Sequence, residues 1–496
     1  MCWQKRRIPK KGDDGMGKFQ KIVMGILITV IASCCGLVQA ACDDYQQVSG
    51  LIDLRTTFSD GSHDLHSLVE LARKKGFCVL IINDHDRIAM EYGVPPFRHI
   101  IKKRVERNSI NKQGVGEYLR SIKEADTAYP DMIILPGSET APFYYWSGSS
   151  FKKNLTAHNH ERRILTVGLE KAEDYEDLPI LHNGFSTRFT RRFMPAVLIF
   201  CIPLFLGLVL LKGKGLHRIA GILIAGVSLL LIINVSPFRS SPFDQYHGDQ
   251  GIAPYQLLID YVKERGGVSF WNYPETRSEI RKMGRIFVRT PPYPEVLEEA
   301  RRYTGFAAIY GDAITITEPG NIWDKVLLAY CKGKRDSPVW GISTADFHKE
   351  GENGEVLGNF STVFFVPKKT KAAILEAMRK GRMYACRGKY PYYPRLDEFS
   401  IRSSSGEAKG ISGDEVAVKG FPRIRIALSS SLPTEKRVLV RLIRSGQIIL
   451  RYEGDLPLEL EHEDKDIRKG VKEYYRMDCK GYGTIVSNPI FVTSQQ

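Results

Sequence analysis

The chain has 496 residues, 43% hydrophobic and 26% charged, enough for two or more domains and too apolar for overall disorder. Its formal net charge of +15 gathers partly in an N-terminal cluster (Lys5, Arg6, Arg7, Lys10, Lys11, Lys18, Lys21) and partly beside apolar segments. With no basic helix and no basic–aromatic array, that pattern reads as membrane-topology charge and argues against a nucleic-acid partner.

Ile22 to Val38 is an apolar run behind Lys18 and Lys21, and Val38-Gln39-Ala40 suits signal cleavage. Ile31-Ala32-Ser33-Cys34 resembles a lipobox, which would lipidate Cys34; Met16-Gly17-Lys18 would open a normal signal; an uncleaved anchor is the third alternative. Cys2, Cys34 and Cys35 fall in or before this segment. The remaining six cysteines are widely spaced without a CxxC pair, so no disulfide framework is expected. Cys78 and Cys201 lie in apolar runs and read as inert.

The stretch from Gly50 to Asp86 reads as strand, polar turn, amphipathic helix and strand. Leu51 to Leu54 is apolar, Ser59-Asp60-Gly61 is turn chemistry, and Leu65, Leu68, Val69, Leu71 and Ala72 fall at helical spacing. Cys78 to Ile82 is a continuous apolar run, as expected of a buried parallel strand, and it stops at Asn83-Asp84-His85-Asp86. Asp and His at such strand ends, where open α/β sheets and barrels hold their ligands, suggest a metal site. A charged helical region follows from Glu91 to Ala128, then a strand from Met132 that ends Pro136-Gly137-Ser138-Glu139. The aromatics Phe143, Tyr144, Tyr145 and Trp146 suit either a substrate cleft or loop packing. Ile164 to Leu169 is another strand, with His158 and His160 just upstream.

Phe193 to Leu211 and Ile219 to Val235 are long enough to cross a bilayer as helices. Lys212, Lys214 and Arg218 make a basic turn between them, which predicts a transmembrane hairpin with its turn in the cytoplasm, although Arg188, Arg191 and Arg192 weaken that charge argument. The strand–helix rhythm resumes from Gly251 to Pro274, closing on Asn272-Tyr273-Pro274. Phe306 to Tyr310 is a further strand, and Val339 to Ile342 runs into Ser343-Thr344-Ala345-Asp346-Phe347-His348. An Asp and a His two apart at a strand end point to the same side, which favours chelation. From Arg395 the pattern changes to short alternating strands split by Ser-Gly and Glu-Gly turns, as in a small β-sandwich.

These motifs together resemble the PHP (polymerase and histidinol phosphatase) domain. That family opens H-x-H-[ST]-x-x-S-D-G and continues with a strand ending T-D-H. Here Thr56, Ser59-Asp60-Gly61 and Asp84-His85 match, while the opening histidines fall on Asp53 and Arg55. Pro136-Gly137-Ser138-Glu139 is similar to the family's P-G-x-E, and Ser343 to His348 is similar to its final G-S-D-x-H. Met378 to Cys386 and Val486 to Val492 resemble the closing segments of the carbaryl-hydrolase-like branch. Two further ligand positions depart from the family, falling on Arg163 and Tyr273.

The resemblance implies an α/β fold: a distorted (β/α)7 barrel interrupted by the two-helix transmembrane hairpin and followed by a C-terminal β-sandwich. The expected organisation is a signal or anchor segment over 1–41, a first PHP-like part over 42–190, the hairpin over 193–235, a second PHP-like part over 236–394 and the β-sandwich over 395–496. It implies metal ligation by Asp53, Asp60, His85, Glu139, Asp346 and His348, with Asp84 orienting His85. Arg55 has no lone pair to bind a metal and would instead replace a lost cation and grip a phosphate. This set suits one or two divalent ions (Mn, Fe or Zn, with Mg among the harder candidates) better than the family's three. The expected function is a membrane-anchored, metal-dependent hydrolase of a phosphoester or similar small molecule, with its globular parts on the extracytoplasmic side of a bacterial-type membrane. The alternatives are a pseudo-hydrolase that binds a ligand or membrane partner without turnover, and a membrane assembly protein.

Overall fold

The structure, a computed structural model, describes residues 45–276, 278–312, 314–351, 355–403, 409–432 and 436–495. The targeting segment expected over 1–41, with its alternatives at Met16 and Cys34, lies outside them. The fold is mixed α/β, built on one long curled sheet.

The sheet begins with β1 (Gln46–Leu54), whose last five residues are all buried. Helix α1 (Leu65–Lys74) follows, its first turn capped by the Asp64 carboxylate accepting from the Ser67 N–H. It turns Leu65, Leu68, Val69 and Ala72 to the core. β2 (Val79–Ile82) returns parallel to β1, pairing Gly50 with Val79. All four β2 residues are buried, which is why an apolar run rather than alternation marks it. A small hairpin of β3 (Ala89–Gly93) and β4 (Lys102–Glu106) leaves the sheet before α2 (Val115–Ala128) leads into β5 (Ile133–Thr140), parallel to β2. β6 (Tyr145–Ser147) and β7 (Thr156–His158) form a side hairpin.

β8 (Arg163–Val167) rejoins the sheet antiparallel to β5, pairing Gly137 with Val167. Its reversed direction decides the site, because it is the start of β8 that lies beside the end of β5. Helices α3 (Thr190–Leu210) and α4 (Leu216–Val235) then form a hairpin. Both are long and apolar enough to cross a membrane, and only 6% and 11% of their apolar stretches are buried by protein. Pro195 and Pro203 lie inside α3. The two helices approach closely at Gly207, where a Cβ would lie 2.6 Å from the Ala225 nitrogen.

After the hairpin, α5 (Ala253–Glu264) returns the chain to β9 (Val268–Asn272), antiparallel to β8 with Arg163 opposite Asn272. β10 (Ser278–Met283) and β11 (Ile286–Thr290) extend the side sheet in the order β10-β11-β7-β6. β12 (Gly305–Ile309), α6 (Ile322–Cys331) and β13 (Trp340–Ser343) restore parallel pairing. The chain then comes back to β1: the Ala345 N–H donates to the Ile52 carbonyl at 3.0 Å and the Arg55 N–H to the Phe347 carbonyl at 3.0 Å. The sheet therefore meets its own first strand, bringing Asp346 and His348 to the ends of β1 and β2.

β14 (Phe360–Val366) is also a neighbour of β1 in the sheet order and is followed by α7 (Lys371–Lys380). Gly381 caps α7 at φ 71°, and a Cβ there would lie 2.3 Å from the Trp340 indole, so both backbone and space demand glycine. β15 (Met383–Arg387) carries the sheet onward. β16 (Pro394–Ser403), β17 (Lys409–Ile411), β18 (Glu415–Val418), β19 (Pro422–Ser430), β20 (Arg437–Arg444), β21 (Gln447–Asp455), β22 (Leu458–Glu463), β23 (Lys472–Gly481), β24 (Thr484–Ser487) and β25 (Ile490–Ser494) complete the chain. β19 shows the expected alternation, with Ile424, Ile426 and Leu428 buried between more exposed neighbours. These strands divide between two sheets: β24, β23, β20 and β21 extend the main sheet beyond β15, while β17-β16-β19-β22 form a separate one.

Candidate active site

The ends of β1, β2, β5 and β9, the start of β8 and the segment after β13 converge. Three non-glycine residues there hold left-handed backbone: Asp53 at φ 70°, Tyr273 at 48° and Asp346 at 46°. Such strain costs on the order of 1–3 kcal/mol per residue and persists only where the surroundings impose it. At Asp53 it coincides with a register shift between Ile52 and Leu54.

The inner half of the site is closed around Arg55, whose side chain is fully buried. Its guanidinium lies 2.9 Å from the Asp53 carboxylate, 2.7 Å from Glu139 and 3.4 Å from Asp346, and it donates to the Asn83 carbonyl. Glu139 also pairs with Arg163. Asn272 donates to Asp53 at 2.9 Å and to Glu139 at 2.7 Å, and the Tyr273 hydroxyl donates to Asp53. Three of the residues that depart from the family pattern thus hold the two buried carboxylates: Arg55 binds both, Arg163 binds Glu139 and Tyr273 binds Asp53. Burial pushes Asp53 up to about 7 against the pull of Arg55. Burial also works to raise Glu139, but the guanidiniums of Arg163 and Arg55 hold it down at about 2.

The outer half is open. Asp60 and Asp346 are 40% and 48% exposed in their side chains. The His85 Nε2 lies 3.2 Å from Asp60, and its Nδ1 lies 3.2 Å from Glu139. The His348 Nδ1 bonds the Asp346 carbonyl at 2.8 Å, which leaves Nε2 facing Asp60 at 3.7 Å and the Asp346 carboxylate at 3.9 Å. Burial lowers the His348 pKa, but its hydrogen bond to the Asp60 carboxylate and the charge of Asp346 raise it overall to about 9. Asp60 falls well below the usual carboxylate range: burial opposes this, and hydrogen bonds from His348 and His85 outweigh it.

Asp84 makes a different set of contacts from the one expected. It accepts from the Thr56 N–H at 2.8 Å, the Thr56 hydroxyl at 2.6 Å and the Ser59 hydroxyl at 2.5 Å, and so anchors the turn that carries Asp60. Burial raises its pKa. The His85 ring is oriented by Asp60 and Glu139 instead. His158 stacks on Tyr145 and bonds the Ser147 hydroxyl in the side sheet. Tyr144 and Trp146 pack with Leu155, Ala157 and Val288, and Phe143 joins the main core. Residues 143–146 therefore pack a loop. Asn83 and Asn272 belong to no ligand pattern in the sequence, yet both bond within the site. Asn83 ties the Asp53 N–H to the Ser138 and Thr166 carbonyls, and nothing in its sequence context distinguishes it from a turn asparagine.

The donor chemistry tests whether the metals implied by the resemblance fit. The inner half does not fit one: the oxygens of Asp53 and Glu139 already face fixed donors, and a cation sits between them. The outer half fits one ion in kind, with two carboxylates (Asp60, Asp346) and two imidazoles (His85, His348). Among the described residues, no group of three or more His, Cys, Asp or Glu side chains already stands arranged to hold a metal ion. Binding would therefore require the outer side chains to draw together. A cavity of about 760 Å³ adjoins this half, lined by Asp346, Tyr273, Tyr310, Arg387, Lys389 and Tyr482 among others.

No family model and no curated protein matches the chain. Among solved structures, it is similar to a two-domain protein from Bacteroides vulgatus ATCC 8482 containing a predicted PHP-like metal-dependent phosphoesterase. That similarity has 12% identity, 88% coverage of this chain, 91% of the other and a TM-score of 0.36. It is also similar to a candidate metal-dependent phosphoesterase from Bifidobacterium adolescentis ATCC 15703, at 16% identity, 62% and 91% coverage and a TM-score of 0.28. Overlaps this loose carry no functional argument.

Proposed function

We propose that the chain is a membrane-anchored hydrolase of the PHP type, acting on a phosphoester or similar anionic ester bound in the cavity beside Asp346. Its centre would hold a single divalent ion in the outer half, with Arg55 as a fixed cation behind it. The observation that carries this reading is the convergence of Asp60, His85, Asp346 and His348, with Asp346 also on the wall of a cavity large enough for a small molecule. A bound ion would activate water and polarise the ester. The chain's own contribution is positional. Asp84 fixes the Asp60 turn, the Asp346 carbonyl orients His348, and Arg387 and Lys389 offer two cations to an anionic substrate on a wall that also carries Asp312, Asp346 and Glu355. The α3–α4 hairpin would hold the globular part at the membrane, on the extracytoplasmic side if the N-terminal segment directs export.

One observation favours a second reading, the pseudo-hydrolase that binds a ligand without turnover. The four carboxylates Asp53, Asp60, Glu139 and Asp346 meet two guanidiniums and a raised imidazole, so the centre is nearly neutral with no ion at all. Elemental mass spectrometry of the detergent-purified protein separates the two. The hydrolase reading expects about one Mn, Fe or Zn per chain, lost in an Asp346→Ala, His348→Ala variant, together with chelator-sensitive cleavage of a chromogenic phosphodiester. Absence of bound metal after incubation with excess Mn would sink it in favour of the ligand-binding reading.

A further inference from the structure

We infer that the β3–β4 hairpin and the feet of α3 and α4 form a collar that binds the anionic phospholipid headgroups of the leaflet at which the helices end. The inference rests on the reading of α3–α4 as membrane-spanning and adds a second, surface-bound contact to it.

The collar is built onto the end of α4. The His99 N–H donates to the Asn234 side-chain oxygen at 2.9 Å, and the Asn234 amide donates to the Pro96 carbonyl at 3.3 Å. The segment between β3 and β4 is thus bound to the last turn of the apolar helix. Arg239 donates to the Asn234 carbonyl at 3.0 Å and lies 5.0 Å from the Phe193 ring centroid, capping α4 while touching α3. Arg98 lies 4.3 Å from the Tyr246 ring centroid and fixes the other side of the same segment.

Its surface combines two features that a protein facing plain water has no reason to combine. One is exposed apolar side chains: Ile101 is 56% exposed and Val94 45%, and Phe185, 70% exposed, stacks on Phe238 with centroids 4.9 Å apart. Phe185 precedes α3 and Phe238 follows α4, so this pair sits where both helices leave the globular part. The other feature is unneutralised positive charge. Lys102 is held by Glu91, and Arg104 by Glu106. Exposed Lys103, Arg107, Arg191 and Arg192 enter no ion pair among the described residues. Apolar side chains that dip below the headgroups, ringed by free cations, match an anionic lipid surface, where each added cation strengthens binding about fivefold.

The experiment uses the full chain in lipid nanodiscs, either phosphatidylcholine alone or phosphatidylcholine mixed with phosphatidylglycerol. Hydrogen exchange is read on peptides covering 94–107 and on α3–α4. The expected result is strong protection of α3–α4 in both discs. Exchange over 94–107 should be several-fold slower in the anionic disc, and that difference should vanish in a Lys103→Glu, Arg107→Glu variant and shrink at high salt. Protected helices with identical 94–107 exchange in the two lipids would overturn the collar alone. Unprotected helices would overturn the spanning reading and the collar with it.

Discussion

Replacing Arg55 by methionine is expected to destabilise the protein by about 3–5 kcal/mol at neutral pH, the usual cost of stranding one side of a buried ion pair. The side chain is fully buried and lies 2.9 Å from Asp53 and 2.7 Å from Glu139. Methionine fills much of the volume but leaves Glu139 with only Arg163 and Asn272 to balance it, and Asp53 with neutral partners. The sign of the pH dependence follows from Glu139. Its folded pKa is depressed to about 2, so its pairing stabilises the native state above its unfolded value and is lost as pH falls through the folded one. In the variant that depression is smaller, so the part of the gap between wild type and variant that comes from Glu139 should hold from neutral pH down to its unfolded value of 4.5 and narrow below it, as pH falls toward about 2. Urea unfolding followed by tryptophan fluorescence measures both. If Arg55 stands where a cation belongs, Arg55→His should also acquire metal affinity in the inner half, and Mn should restore stability by about 2.7 kcal/mol at a hundredfold excess over its Kd. A methionine variant that unfolds at the wild-type urea concentration, or a histidine variant indifferent to Mn, would remove the fixed-cation account.

What the sequence made legible is what short-range pattern can encode. The run Val79 to Ile82 announced a strand buried on both faces, the apolar spacing from Leu65 announced α1, and the hydropathy of α3 and α4 needed no context. Strand direction left no trace: β8 has the same apolar character whichever way it runs, so the placement of Arg163 on Glu139 was visible only in three dimensions. Arg55 was legible as a departure from a motif but not as a buried ion-pair centre, because its partners Glu139 and Asp346 lie far along the chain. Asp84 was misread for a related reason. An Asp beside a His suggests an orienting pair, yet Asp84 lies past the end of β2 and accepts from Thr56 and Ser59, partners that only the folded turn brings to it. Alternation after Arg395 revealed which faces of the strands are buried, but period two says nothing of which strand is the neighbour. The division of these strands between the main sheet and a separate one was therefore hidden.

That division gives the second large expectation, at Arg476. Its guanidinium, on β23, makes a bidentate pair with Asp324 on α6, both bonds 2.7 Å and both side chains fully buried. It also lies 4.9 Å from the Trp323 ring centroid. Arg476→Leu should cost about 3–5 kcal/mol by leaving Asp324 unpaired, while Arg476→Leu with Asp324→Leu should recover most of that loss. The pair is one of several ties between the late strands and the early ones. The Gly341 N–H donates to the Asn488 side-chain oxygen at 2.7 Å, and the Asn488 amide donates back to the Gly341 carbonyl at 3.1 Å and to the Met383 carbonyl at 3.0 Å. β24 also supplies the ladder along β15, from Tyr384 with Ser487 to Arg387 with Thr484. Removing residues 395–496 would therefore strip β15 of its partner on the β24 side, bare the Gly341 and Met383 backbone groups and leave the Asp324 carboxylate buried without its arginine. The truncated chain is expected to show no cooperative urea transition, and the full chain to lose fluorescence and circular dichroism in one step. Two separated transitions in the full chain, with the first part surviving truncation, would instead mean that residues 395–496 fold as an independent unit and that these ties contribute little across the boundary.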